Sequence, residues 1–117
     1  NTGTSMARPP RDPFDAGAPR ALDALARRVL DVVDAIPRGR VMTYGDIAAC
    51  VGCGPRQVAR VMSERGDEAP WWRVLRADGT CAPEVRARQV RRLRAEAVTF
   101  RGGDRVDLRA SRHTPGD

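Results

Sequence analysis

The five residues Val51-Gly52-Cys53-Gly54-Pro55 constrain this chain more than any other stretch, because they must end one helix and begin another within a single turn. Just upstream, Thr43 precedes Asp46 in capping-box spacing and opens a short helix from Tyr44 to Cys50. Just downstream, Pro55 sits where proline is tolerated in a first helical turn, and a second helix runs from Arg56 to about Glu64. Two short helices across a glycine-rich break predict a helix-turn-helix. Val58, Val61 and Met62 face the core in this reading, which leaves Arg56, Gln57, Ala59 and Arg60 on the exposed side or near the helix N-terminus. Taken alone, such a pair serves equally as a DNA-reading element or as a structural corner between helices.

The flanking segments supply the rest of a small domain. Leu22, Leu25, Val29, Val32, Val33 and Ile36 share one face at helical spacing, and Pro37 with Gly39 ends the run, so a helix is expected over Arg20 to Ile36. Before it, Pro9, Pro10, Pro13, Gly17 and Pro19 suit an extended leader, and Asn1 to Ser5, ahead of Met6, read as the remnant of an added tag. After the polar loop Arg65 to Ala69, the run Pro70-Trp71-Trp72-Arg73-Val74-Leu75 ends as a short strand, followed by a turn at Asp78-Gly79. Pro83 and Glu84 open a last helix to about Ala97, with Val90, Leu93 and Ala97 inward. Val98-Thr99-Phe100 and Val106-Asp107-Leu108 predict a terminal hairpin, and Ser111 to Asp117 a frayed tail. The expected fold is mainly α with a small β element, a winged-helix-like helix-turn-helix domain over residues 20–110, between a leader (1–19) and a tail (111–117).

Composition narrows the function classes. A chain of 117 residues holds one compact domain. Its 21 basic residues, every one arginine, outnumber 15 acidic ones, and a pI near 10.8 makes a polyanion the natural partner. A GC-rich coding sequence also enriches arginine, so the placement of these side chains must carry the argument. No apolar run approaches the roughly 18 to 20 residues of a membrane span. The three cysteines, Cys50, Cys53 and Cys81, cannot all pair, and with no signal peptide evident a reducing, cytoplasmic and nucleoid-associated setting is expected. Only Cys81 and His113 remain to complete a metal site with Cys50 and Cys53, so neither metal nor other cofactor is expected. With no heptad and no exposed apolar stripe, the chain is expected to be a monomer.

Three segments in order carry a more specific signal: Ile36-Pro37-Arg38-Gly39-Arg40-Val41-Met42-Thr43-Tyr44-Gly45-Asp46-Ile47-Ala48, then Arg56-Gln57-Val58-Ala59-Arg60, then Pro70-Trp71-Trp72-Arg73-Val74. Over roughly Leu22 to Phe100 the series resembles the C-terminal domain of O6-alkylguanine-DNA alkyltransferases. That family shows a Pro-x-Gly-x-Val-x-Thr/Ser-Tyr-Gly segment, an arginine-led recognition helix and a Pro-Cys-His-Arg-Val active-site motif. Trp71 stands at the position of the reactive cysteine and Trp72 at that of its activating histidine, while Pro70, Arg73 and Val74 match the motif. Alkyl transfer needs a thiolate and a neighbouring base, and tryptophan supplies neither. The chain therefore resembles the alkyltransferase-like proteins, which bind O6-alkylguanine in DNA without repairing it and hand the lesion to nucleotide excision repair proteins.

The resemblance implies roles residue by residue. Thr43, Tyr44, Arg56, Gln57, Ala59 and Arg60 form the expected DNA-contacting set, with duplex DNA containing O6-alkylguanine as partner. Tyr44 resembles the tyrosine that presses on the phosphate 3′ to the flipped nucleotide; the plainer alternative is a buried aromatic at a helix start. Arg56 resembles the arginine that fills the gap left in the base stack from the minor-groove side; the alternative is a solvated helix-terminal charge. Gln57, Ala59 and Arg60 would line the minor groove, whose degenerate edge pattern forbids strong sequence specificity. Tyr44, Trp71 and Arg73 are the expected lesion pocket, Trp71 offering an apolar face while Trp72 fills core. Arg73 has the alternative of pairing with an acid, and Glu96, near the place of the family's third triad residue, reads as a structural acid.

Departures from the family pattern bear on these assignments. Only eleven residues separate Tyr44 from Arg56. Either the turn is tightened at Gly52-Cys53-Gly54, or Arg60 is the intercalating arginine. The glycine-rich loop after the active-site motif is absent, because Thr80-Cys81-Ala82-Pro83 runs straight into helix, and a shorter loop predicts a more open pocket. From a different class, a helix-turn-helix transcriptional regulator would instead bind a specific sequence in the major groove, usually as a dimer.

Overall fold

A computed structural model describes the chain from Pro13 to Pro115, with side chains from Asp23 onward. In order, the elements are helix α1 (Pro13–Asp34), strand β1 (Met42–Thr43), helices α2 (Tyr44–Val51) and α3 (Pro55–Arg65), strand β2 (Val74–Leu75), helix α4 (Arg86–Ala95), strands β3 (Phe100–Gly102) and β4 (Arg105–Val106), and the single turn α5 (Leu108–Ser111). Tight 3₁₀ turns at Gly66–Glu68, Trp71–Arg73 and Pro83–Val85 carry the chain between them. The mainly helical fold with small sheets is the expected one. No helix among the described residues is long and apolar enough to cross a membrane.

Two hydrophobic cores meet at the short parallel pairing of β1 and β2, where Met42 faces Val74 and Thr43 faces Leu75. Successive strand residues point to opposite faces. Met42 and Val74 therefore join Val29, Val33, Ile36, Ile47 and Val58 in the first core, which packs α1 against α2 and α3. Val41 and Leu75 join Cys81, Val90, Leu93, Val98 and Val106 in the second, beneath α4 and the hairpin. Each of the Val, Leu, Ile and Met side chains among them contributes about 1.5 to 3 kcal/mol when fully buried, and the two cores share one wall two residues wide.

The helix pair forms as its local chemistry requires. Asp46 N donates to Thr43 Oγ1 and Thr43 N donates to Asp46 Oδ2, each at 3.1 Å, closing the capping box. Gly52 ends α2 at φ +87, a left-handed conformation that glycine adopts without strain. Gly54 then caps α3, its N–H donating to Gln57 Oε1 at 2.8 Å. The turn at Gly52-Cys53-Gly54 is tight, as the short spacing required.

Several expectations are corrected. Helix α1 begins at Pro13, not Arg20, so part of the expected leader is helical. Pro13, Gly17 and Pro19 read locally as turn formers, although Pro13 also suits a helix start. The leader residues before Pro13, and the side chain of Leu22, lie outside the described residues. The last helix starts as a 3₁₀ turn and ends at Ala95; Ala97 is exposed at φ +62, and Val98 takes the inward position. The hairpin pairs Phe100 with Val106, with its turn shifted to Gly103 and Asp104. Finally, residues 111–113 are anchored. Ser111 is buried, Val41 N donates to its carbonyl at 2.9 Å, and His113 N donates to Val41 O at 2.8 Å. Strand pairing with a distant segment is not visible in the local polarity of a terminus.

Candidate nucleic-acid interface

Helix α3 presents three kinds of side chain according to its period. Val58 and Val61 are buried against α1 and α2. Ala59, Met62, Ser63 and Gly66 face an open cavity of about 630 Å³, whose other walls include Tyr44, Trp71, Val74, Val85 and Arg88. Arg56 lies one turn before Ala59 and Arg60 on the exposed surface, between the face that carries Ala59 and Ser63 and the face that carries Arg60. No acidic residue stands in the first turn of α3. Its positive helix end is therefore left to attract an anion.

The cavity brings together Tyr44, Ala59 and Trp71, which lie far apart in sequence. Tyr44 opens α2 and is half-buried. Burial raises its hydroxyl above the usual value, Arg76 pulls it down, and Cys81 and Glu84 push it up. At neutral pH the group is a protonated hydroxyl, able to donate to a phosphate oxygen. The Trp71 ring stands edge-on to Trp72 with centroids 6.0 Å apart and planes at 87°. The guanidinium of Arg88 lies 5.4 Å from the centroid of Trp71.

Arg73 and Trp72 are occupied elsewhere. Arg73 Nε donates to Glu96 Oε1 at 3.0 Å, its Nη2 to Oε2 at 2.8 Å, and its Nη1 to the Ile36 carbonyl at 2.9 Å. Trp72 Nε1 donates to Glu96 Oε2 at 2.8 Å, and Gly39 N to Oε1 at 3.1 Å. Burial by itself would raise the Glu96 carboxyl, but the donors Arg73, Trp72 and Gly39 outweigh it and hold the group at about 2. The expectation of Arg73 as a pocket residue is therefore corrected: it pins the Trp-Trp turn to the end of α4 and to the end of α1. Thr43 is corrected too. It is buried, with its hydroxyl committed to the capping box.

The remaining predicted contacts divide. Arg56 forms no salt bridge or hydrogen bond among the described residues, whereas Arg60 Nε donates to Glu64 Oε2 at 3.2 Å. Gln57 and Arg60 line a shallow groove against Asp23 and Leu25 of α1, on the far side of α3 from the cavity. Two contributors escaped sequence reasoning. Buried Gln89 donates through Nε2 to the Trp72 carbonyl at 3.1 Å and to that of Val74 at 2.7 Å, fixing the turn that carries Trp71. Its signal was a lone amide beside the inward Val90 and Leu93. Arg88 had no local signal, since it is one of several arginines on α4.

Comparison with known proteins identifies the fold's lineage. The family model for the 6-O-methylguanine DNA methyltransferase DNA-binding domain matches residues 24–98. The chain belongs to that family. The matched segment contains the whole first core and every residue lining the cavity, while Val106 of the second core lies beyond it. Among curated relatives, the chain is 38% identical over 97 residues to a DNA base-flipping protein of Escherichia coli K12, covering 77% of this chain and 74% of that one. It is 39% identical over 85 residues to alkyltransferase-like protein 1 of Schizosaccharomyces pombe, covering 66% and 79%. Its structure is similar to that of S. pombe Atl1 in complex with damaged DNA containing O6-carboxymethylguanine, with a TM-score of 0.71 and 31% identity over 80% of this chain and 97% of that one.

Proposed function

We propose that this chain recognises O6-alkylguanine in duplex DNA from the minor-groove side, rotates the damaged nucleotide into the cavity walled by Tyr44 and Trp71, and leaves the alkyl group in place. The observation that carries the reading is the convergence of Tyr44, Ala59 and Trp71 on one cavity of about 630 Å³, with Arg56 exposed at the head of α3, one turn before Ala59. Small Ala59 permits close approach of the helix to the groove. Arg56 then occupies the gap left by the nucleotide, while the indole of Trp71 packs against the purine or its alkyl group. Extruding a base costs a few kcal/mol, less for a weakly paired alkylated guanine, so selection begins with the base pair.

The chemistry of the cavity favours binding without transfer. Trp71, which resembles the replacement of the family's reactive cysteine, supplies no nucleophile. Cys81 lies in the second core, where burial pushes its thiol up to about 11, and Cys50 is exposed at the end of α2, so neither lines the cavity. A lesion bound and not repaired is useful as a signal, and nucleotide excision repair proteins are the proposed recipients.

The deciding experiment is an equilibrium titration, at one salt concentration, of duplexes differing only in guanine or O6-methylguanine, followed by tryptophan fluorescence. Binding at least about ten times tighter to the lesion, a difference of about 1.4 kcal/mol, with quenched emission, supports the reading. Equal affinity for the two duplexes overturns it in favour of a helix-turn-helix regulator that reads sequence.

A further inference from the structure

The charges around the cavity run against the charge of the chain. Basic residues outnumber acidic ones by 21 to 15 overall, yet the cavity lining carries two carboxylates, Asp67 and Glu84, and one guanidinium, Arg88. The carboxylates come from separate 3₁₀ turns, Gly66–Glu68 beside the Trp71 turn and Pro83–Val85 at the start of α4. Among the described residues neither forms a salt bridge, in contrast to their neighbour Glu68, which is held by Arg65 at 3.0 Å. Arg88 lies over the Trp71 ring. A ligand entering this space meets an apolar indole with unneutralised acids at its margin.

We propose that the cavity selects O6 groups by charge, accepting neutral and cationic ones and disfavouring anionic ones such as carboxymethyl, with Asp67 and Glu84 as the selecting residues. The inference rests on the lesion-binding reading above. Asp67 and Glu84 are both exposed at the rim, so an added carboxylate on the base meets two like charges at the cavity mouth, where the covering duplex would exclude water and strengthen the repulsion. An aminoethyl group of similar length instead gains two acceptors. The field of the whole protein has the opposite sign, since a basic chain attracts the more anionic duplex. The direction of the preference thus separates local from global electrostatics.

Three duplexes carrying O6-methyl-, O6-(2-aminoethyl)- or O6-carboxymethylguanine, with an unmodified control, are titrated against the wild type and against D67N/E84Q at one moderate salt concentration. The wild type is expected to bind the carboxymethyl duplex about tenfold more weakly than the methyl duplex, and the aminoethyl duplex at least as tightly. The double variant brings the carboxymethyl and methyl affinities together. Carboxymethyl binding as tight as methyl in the wild type overturns the inference while leaving lesion recognition standing. A ratio unchanged by D67N/E84Q, with the variant melting like the wild type, overturns the assignment to these two residues. Equal binding of methylated and unmodified duplexes overturns the lesion-binding reading and this inference with it.

Discussion

Trp72 donates its indole N–H to Glu96 Oε2 at 2.8 Å, while the ring of Trp71, one residue earlier, stands edge-on to it and faces the cavity. Two identical adjacent side chains thus have separate tasks. The 3₁₀ turn Trp71–Arg73 turns one indole toward Glu96 and the second core, and leaves the other on the cavity wall.

Trp71→Ala is expected to weaken lesion binding by about 1 to 3 kcal/mol, the usual cost of losing one stacking partner. Its melting temperature should change little, because the side chain is only partly buried. Trp72→Ala should lower stability more, since it also leaves Glu96 short of a donor. Paired titration and thermal melting of the two variants separate the roles; equal effects on both readouts would contradict the division.

Glu96→Ala should destabilise the fold by about 3 kcal/mol, because it strands the Arg73 guanidinium in a site where both partners are largely buried. With the folded Glu96 carboxyl held at about 2, against an ordinary value of 4.5, its contribution is present above about pH 4.5 and is lost as the pH falls toward 2. Urea unfolding across that range should show the gap between wild type and variant narrowing with acidity.

Arg56→Ala should cost about 1 to 3 kcal/mol of lesion affinity. Arg60→Ala should cost distinctly less, since its guanidinium is paired with Glu64 and lies on the far side of α3 from the cavity. The reverse order in the same titration would make Arg60 the intercalating residue. Binding by the wild type should weaken with added salt, as arginine–phosphate contacts release counterions.

The cysteines should react in order of exposure. Under native conditions iodoacetamide should label Cys50 first and Cys81 last, because burial holds the Cys81 thiol at about 11. Incubation with O6-methylguanine DNA should add no alkyl mass to any of them, as read by intact-protein mass spectrometry; a gain of one methyl group would restore an enzymatic reading.

Local signals were legible wherever the chemistry is local. The Thr43–Asp46 capping box, the Gly52 stop and the Pro55 restart each depend on a few neighbouring residues, and each forms as its spacing implies. The start of α1 was hidden because Pro13, Gly17 and Pro19 read locally as turn formers, and the anchoring of residues 111–113 because Val41 lies far away in sequence. Arg73 illustrates the same limit at the site. Its position in the Pro-x-x-Arg-Val frame suggested the pocket, but its partners Glu96 and Ile36 are 23 and 37 residues away.

The sequence by itself determined the helix pair and its short turn, the arginine at the head of α3 and the two adjacent tryptophans of the Pro-x-x-Arg-Val segment, because these follow from residue type and spacing. Tertiary structure alone decided which tryptophan faces the cavity, that Arg73 is bound to Glu96, and that Asp67, Glu84 and Arg88 border the same space as Tyr44. Each of those outcomes is a contact between distant segments, and such contacts are set by how two cores pack around one shared pair of strands.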